Sequence, residues 1–539
     1  MTLVEKIALW AASLRSTDVP SDVFDLCRAQ RRSVLGAIAA SSRDDAARRI
    51  LDAVSSWASD GPAPLLGTEV ISGEARSVAV DDAIYGASAL SIALDFDDYL
   101  CFGHTGHSAV LVPLLLACET RSSGEEQLLC QVIANEIGAR FGGACLLGPL
   151  NGQLWSFIHA AASAIAAGRL LGLHTDHLAH ALAIALTGAP RPTVPGFMAP
   201  DTKLTTAAEP SLAGLRAARL AASGVTGPLD VLEHGQGFLD AFSYAPLRGM
   251  FGRLGEGWAT RTLSIKRYPG CAYIDTTIDA MAEMDLPAAS DLDSIDAVVV
   301  HAGLMTCGMD AMSLDYASAP TPVTVNFSIP LNVAIVLLAG RLTADEVNGD
   351  WLRDHAAELR RAAAKVQLRH DWGCTRRTAA AFGPLLPVGA IVGDVGRRSL
   401  LGVTRRLRAD HHGLEVGFGD LVSLLRLGGD ILADATTRPR NPPGSSTARR
   451  FWSPEALEQF TMTFPARVEL RYRDGRIVEA GVDSPLGGSG CDAVGPVEAA
   501  KEKFAIWAPR CWGPNGAATI DVAIDKDADN LGVLLGSRA

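Results

Sequence analysis

The chain has 539 residues, more than one hydrophobic core organises, so two or more domains are expected. Apolar residues make up 48% and charged residues 20%, an ordinary globular balance with ample core material. The net charge of -12 argues against nucleic acid as the main partner, because a phosphate-binding face must be basic, yet it leaves room for a small anionic substrate held by a few local lysines.

The first segment, "MTLVEKIALWAASLRS", reads as an amphipathic helix without a signal peptide's basic start or small-residue cleavage site. "SDVFDLCRAQRRSVLGAIAASS" and "GEEQLLCQVIANEIGARFGGACL" repeat apolar residues every three or four positions and predict helices. The longest apolar run, near 109–118, is too short to span a bilayer, so no membrane role is expected. "HAAASAIAAGRLLGLHTDHLAHALAIAL" predicts two Ala-rich helices broken at Gly172, whose small residues suit a closely packed bundle.

The texture changes near residue 294. "SIDAVVVHAGL" alternates and is β-branched, as a strand should be, and "VTVNFSIPLNVAIVLLAGRLT" returns to helix. "ARVELRYRDGRIVEAGVDSP" predicts a hairpin turning at Asp474-Gly475. "RPRNPPGSSTARR" (438–450) predicts an exposed loop, and "GPVEAAKEKFAIWA" a helix that returns to the first domain. The expected organisation is a mainly α protein with an α+β second domain: a helical domain over 1–267, completed by 493–539, and a smaller α+β domain over 268–492 with an extended insertion around 345–455. Ten cysteines without a CxxC pair or regular spacing favour a reducing cytosol, hence a cytoplasmic protein, over structural zinc or a disulfide framework.

Three stretches could carry chemistry. In "DFDDYLCFGHTGHSA", Asp95 and Asp98 are three apart and would share a helix face, while Gly103 and Gly106 put His104 and His107 on a loop. With no HxxxH pair or cysteine partner, a metal site is not expected there. In "PDTKLTTAAEPSLAGLRAARL", Lys203 stands just before a helix starting near Thr205 or Thr206, a place that favours anions. In "SIKRYPGCAYIDTTIDAM", Lys266 and Arg267 lie in an extended piece ahead of Pro269 and could clamp a carboxylate. Taken singly, each also reads as solvated surface charge. The His174, His177 and His180 series reads as a surface cluster at a helix start.

These segments, in this order, resemble the MmgE/PrpD family, which includes 2-methylcitrate dehydratase, cis-aconitate decarboxylase and iminodisuccinate epimerase. The pieces are "LDFDD", the "GHTGH" loop with "VPLLLACE", "HAAASAIAAGRLLGL", Lys203 with "GLRAARLAASGVTGP", "KRYPGC" and the late "EKF". The resemblance implies a large all-helical domain with a smaller α+β lid, a homodimer, and proton transfer next to a carboxylate without metal or organic cofactor. It implies Asp95, Lys203, Lys266 and either His104 or His107 as catalytic residues. Around them it places Tyr99 where the family has threonine, Gln153 and Thr206 where it has histidines, Cys271 after the second lysine, and Leu331 in place of a tyrosine. His159 lies six residues beyond Gln153.

The expected function is thus a lyase or isomerase that removes or delivers a proton beside a carboxylate of a small acid, as dehydratase, decarboxylase or epimerase. Lys203 and Lys266, with Arg267, would hold carboxylates; His104 or His107 would move the proton; Asp95 would orient; Tyr99, Gln153, His159, Thr206 and Cys271 would line the substrate. The alternative is a non-catalytic relative that binds such an acid in a rewritten pocket.

Overall fold

The computed structural model describes residues 1–71, 75–149, 156–313, 320–395 and 450–537. The N-terminal half is a helical bundle built on small residues. Every side chain of the Ser156–Leu170 helix except Arg169 is buried, against the Thr205–Ala222 and Gly124–Ala144 helices. Contact is closest at Gly214, where a Cβ would come within 2.5 Å of both the Ala160 carbonyl oxygen and Ser163 Cβ. Backbone cannot yield as a flexible side chain does, so Gly214→Val is expected to cost about 1–3 kcal/mol. Urea unfolding measures this, and a loss below about 0.5 kcal/mol would contradict so tight an approach.

Two short ribbons interrupt the helices, where the sequence reading had helix throughout. Strands β1 (Asp60–Leu65) and β2 (Arg76–Val78) pair antiparallel. Pro62 and Pro64 within β1 are incompatible with a helix interior. The second ribbon matters more for function. The Val80–Ile92 helix stops before the acidic run, Asp95 turns the chain at φ +52°, and β3 (Asp98–Tyr99) then pairs antiparallel with β4 (Ser264–Ile265). The expectation that Asp95 and Asp98 share a helix face is therefore corrected. The Asp95 carbonyl, which a continuing helix would occupy internally, instead accepts a hydrogen bond from Lys266 Nζ at 2.8 Å.

The later half carries a four-stranded sheet in the order β6-β5-β7-β8. Strand β5 (Ile295–Ala302) lies parallel to β6 (Val366–His370) and antiparallel to β7 (Ala466–Tyr472), which turns at Asp474-Gly475 into β8 (Ile477–Val482). Gly475 takes φ +89°, as the tight turn requires. The early part of the 345–455 stretch thus supplies an edge strand, while 396–449, with nearly all of "RPRNPPGSSTARR", lies outside the described residues. The Pro496–Trp507 helix packs along the Ser21–Ser41 helix, bringing the end of the chain back to its beginning. The fold is a large helical assembly with an α+β part. Among the described residues no helix is long and apolar enough to cross a membrane.

Candidate active site

The β3–β4 ribbon fixes the centre of the site. It sets Lys266, the residue after β4, against the turn that presents Asp95 and Asp97. Lys266 Nζ donates to Asp95 Oδ2 at 3.1 Å and Asp97 Oδ1 at 2.5 Å. Lys203 arrives from the short 3₁₀ segment Asp201–Leu204 that leads into the Thr205–Ala222 helix, and its Nζ meets Asp95 Oδ1 at 2.9 Å. The two ammoniums therefore sit on the two oxygens of one carboxylate. Lys203 also lies over the rings of Phe327 (4.9 Å) and Phe197 (5.4 Å), and the Asn326 amide, oriented to satisfy its neighbours, offers Nζ an oxygen at 2.7 Å.

Both lysines are fully buried, as are Asp95 and Asp97 for practical purposes. Burial pulls the Lys203 ammonium below the usual lysine value, against the attraction of Asp95. Burial pulls on Lys266 too, but Asp95 and Asp97 outweigh it and the net direction is upward. Burial would raise the carboxyls, yet Lys203 and Lys266 bring Asp95 below its ordinary value, and Lys266 with His104 holds Asp97 well below. The centre is a compensated set of charges, the form in which buried ions are tolerated.

Three imidazoles extend from Asp97. His104 Nδ1 donates to Asp97 Oδ2 at 2.6 Å, and its side chain is 24% exposed, the most open of the group. His107 Nε2 stands 3.1 Å from the same oxygen, off the line of a good hydrogen bond. His107 is not on a loop, as the sequence suggested. It sits in the short Gly106–Ala109 helix, wholly buried, with Nδ1 2.7 Å from Ser91 Oγ. His159 is buried beside it, ring centroids 5.4 Å apart, with Nδ1 2.9 Å from Ser108 Oγ. Burial, then His107 and His104, holds the His159 ring well below the ordinary imidazole value.

The remaining expected residues divide. Tyr99 is buried with its ring 5.9 Å from that of His104. Cys271 is buried near the same charges, and burial followed by Asp95 pushes its thiol up to about 12. Thr206 is half-buried, its hydroxyl donating to the Lys203 carbonyl at 2.6 Å, one turn along from the lysine. Arg267 does not join the carboxylate cluster: its guanidinium pairs with Glu502 at 3.0 Å. In an extended segment the side chains of successive residues point to opposite faces, so Lys266 turns inward and Arg267 outward. Gln153 lies outside the described residues.

Sequence reasoning missed Asp97 as the hub, Ser91 and Ser108 behind the imidazoles, Asn326 on Lys203, and Lys503. Lys503 is buried, donates to Ser33 Oγ at 3.1 Å and to the Phe96 carbonyl, and so holds the acidic turn from behind. Burial brings its ammonium down to about 7. The "EKF" piece was the available signal for Lys503; nothing in the sequence marked Asn326. Among the described residues no group of three His, Cys, Asp or Glu side chains is arranged to hold a metal ion. The arrangement can neutralise a carboxylate at the lysines and pass protons along Asp97 and the histidines.

Residues 5–247 match the MmgE/PrpD N-terminal domain. Cis-aconitate decarboxylase of Aspergillus terreus is 25% identical over 304 residues, covering 52% of this chain and 60% of that protein. The cis-aconitate decarboxylase of Aspergillus terreus (strain NIH 2624 / FGSC A1156) is 25% identical over 301 residues, covering 52% and 59%. The match thus spans about three fifths of the length of these curated relatives. Residues 5–247 of the chain are thus an MmgE/PrpD N-terminal domain by similarity.

Proposed function

We propose that the protein is a cofactor-independent lyase or isomerase that moves a proton next to a carboxylate of a small carboxylic acid, as a dehydratase, decarboxylase or epimerase. The observation that carries this reading is the meeting of Lys203 and Lys266 on Asp95, both ammoniums fully buried. Removing a proton beside a carboxylate loads negative charge onto that carboxylate. Ammoniums already fixed in a dry site stabilise the loaded form more than the ground state, which is what accelerates the step.

In this reading a substrate carboxylate binds against Lys203 and Lys266, competing with Asp95 for them. His104, hydrogen-bonded to Asp97 and open to solvent, delivers or receives a proton. Asp95 and Asp97 keep the lysines charged and the histidine oriented. Tyr99 and Cys271 shape the wall beside His104 and the lysines. The relatives' printed activity, decarboxylation of cis-aconitate, makes cis-aconitate a natural first compound to try.

The experiment is solvent-deuterium incorporation into a panel of di- and tricarboxylates, cis-aconitate among them, followed by mass spectrometry. The wild type is expected to label at least one acid, and His104→Ala to slow that labelling by about 10²–10⁴-fold. Unchanged labelling in His104→Ala would remove His104 from the mechanism. A protein whose melting rises with these acids but that labels none would be a binding protein instead.

A further inference from the structure

The hydrogen bonds around His159 assign it a role that its place in the sequence does not announce. Its Nδ1 faces Ser108 Oγ at 2.9 Å, and that hydroxyl is also 3.3 Å from the Thr105 carbonyl. Ser108 has one proton to give. If it goes to His159, the ring carries its own proton on Nε2, and one hydrogen bond forms instead of two. If Ser108 donates to Thr105, His159 Nδ1–H donates to Ser108, and both bonds form. The second arrangement leaves Nε2 as a bare lone pair. That atom is buried and has no hydrogen-bond partner among the described residues. An orphaned acceptor is tolerated better in an interior than an orphaned N–H donor, which points the same way. Burial disfavours the imidazolium, so the ring stays neutral.

We propose that His159 is the general base of the site: a neutral imidazole, locked by Ser108 as the Nδ1–H tautomer, whose Nε2 lone pair takes the proton from the substrate carbon. The placement fits. The ring lies against His107, and the ionisable groups facing it are His107, His104 and Asp97. Its helix begins where Ser156 Oγ donates to the Thr206 carbonyl, three residues from Lys203. The base therefore stands on the interior side of the cluster whose open side is His104.

The step balances without a co-reactant. The C–H bond breaks, its electron pair moves into the adjacent carboxylate facing Lys203 and Lys266, and a new N–H bond forms at Nε2. The ring is then an imidazolium, with Nδ1–H still on Ser108. That proton exchanges with solvent before it is returned to the substrate, which is how deuterium enters. This inference rests on the carboxylate reading above and adds to it the identity of the base.

Two measurements test it. In protein labelled with ¹⁵N at histidine, the His159 ring, assigned by its loss in a variant, is expected at pH 7 to show a protonated Nδ1 and an unprotonated Nε2. A protonated Nε2 overturns the proposal. Second, His159→Asn keeps a donor for Ser108 but has no ring base, while His159→Gln serves as a second variant should asparagine unfold the protein. Each is expected to keep the melting shift given by citrate or cis-aconitate and to lose deuterium incorporation into cis-aconitate, or whichever panel acid the wild type labels, by about 100-fold or more. Labelling within about threefold of wild type in a folded variant overturns the proposal, since a base is worth far more. If the wild type labels no acid, the carboxylate reading has failed. The ring still reports separately: a bare Nε2 then leaves the tautomer standing without that chemistry, and a protonated Nε2 sinks both.

Discussion

Lys266→Met is expected to lower stability by about 3–5 kcal/mol, the largest effect of any single change at the site. The substitution leaves Asp95 buried with Lys203 alone to offset it, and Asp97 buried with only the partly exposed His104. An uncompensated buried charge is far more costly than a lost surface pair. The pH dependence separates this cause from simple loss of packing. In the wild type both carboxyls lie below their unfolded value of about 3.9, so their contribution is present above that value and is lost as pH falls through the still lower folded values. In Lys266→Met, burial dominates at Asp97 and the sign reverses. Its folded value rises, so the variant binds a proton more readily folded than unfolded and recovers stability as pH falls toward 5. Thermal melts at pH 7.5 and pH 5 should therefore show the gap between wild type and variant narrowing on acidification. An equal gap at both pH values would mean that the lysine acts through packing.

Lys203→Met should behave differently. Asp95 keeps Lys266, and the apolar end of methionine is accepted beside the Phe197 and Phe327 rings that the ammonium faces. The protein is expected to fold with a loss of about 1–3 kcal/mol while deuterium labelling of the substrate falls by about 10²–10³-fold, the scale of removing one fixed electrostatic stabiliser. The melting shift given by citrate or cis-aconitate should shrink as well, because the same ammonium meets the ground-state carboxylate. Lys203→Arg is not expected to rescue activity. A planar guanidinium cannot replace a compact ammonium held over two aromatic faces with a carboxylate on one side. Labelling at wild-type rate in Lys203→Met would remove the lysine from the chemistry.

The helices, the hairpin at Asp474-Gly475 and the approach of Lys203 to a helix start were legible because each depends on local periodicity or turn chemistry. The acidic run was misread for the same reason. "SALSIALDFDD" has helical spacing, but a partner about 170 residues away, Lys266, captures the carbonyl that would continue the helix. Local rules cannot register a tertiary contact of that kind. The family resemblance drew attention to Asp95, Lys203 and Lys266, and the fold brings both lysines within hydrogen-bonding distance of Asp95. It gave no hint that Asp97 ties Lys266 to His104, because adjacent aspartates in a short run look interchangeable until a strand register separates them. His159 was visible only as a displaced histidine. Its partnership with Ser108 depends on two helices meeting at one height, which no linear spacing encodes.

The acidic turn draws its cations from widely separated parts of the chain. Asp95 and Asp97, His104, His107, His159 and Lys203 all lie before residue 247, whereas Lys266 comes after it and Lys503 sits on a helix 407 residues beyond Phe96. A product cut at 247 would contain the acids and lack the two ammoniums that face them across the ribbon and from behind. During synthesis the same imbalance lasts until residue 503 has emerged, so the polar centre closes late relative to the helices that carry the acids. Its completion reports that the Pro496–Trp507 helix has docked, and limited proteolysis of nascent or truncated chains should find the 95–107 segment open until then.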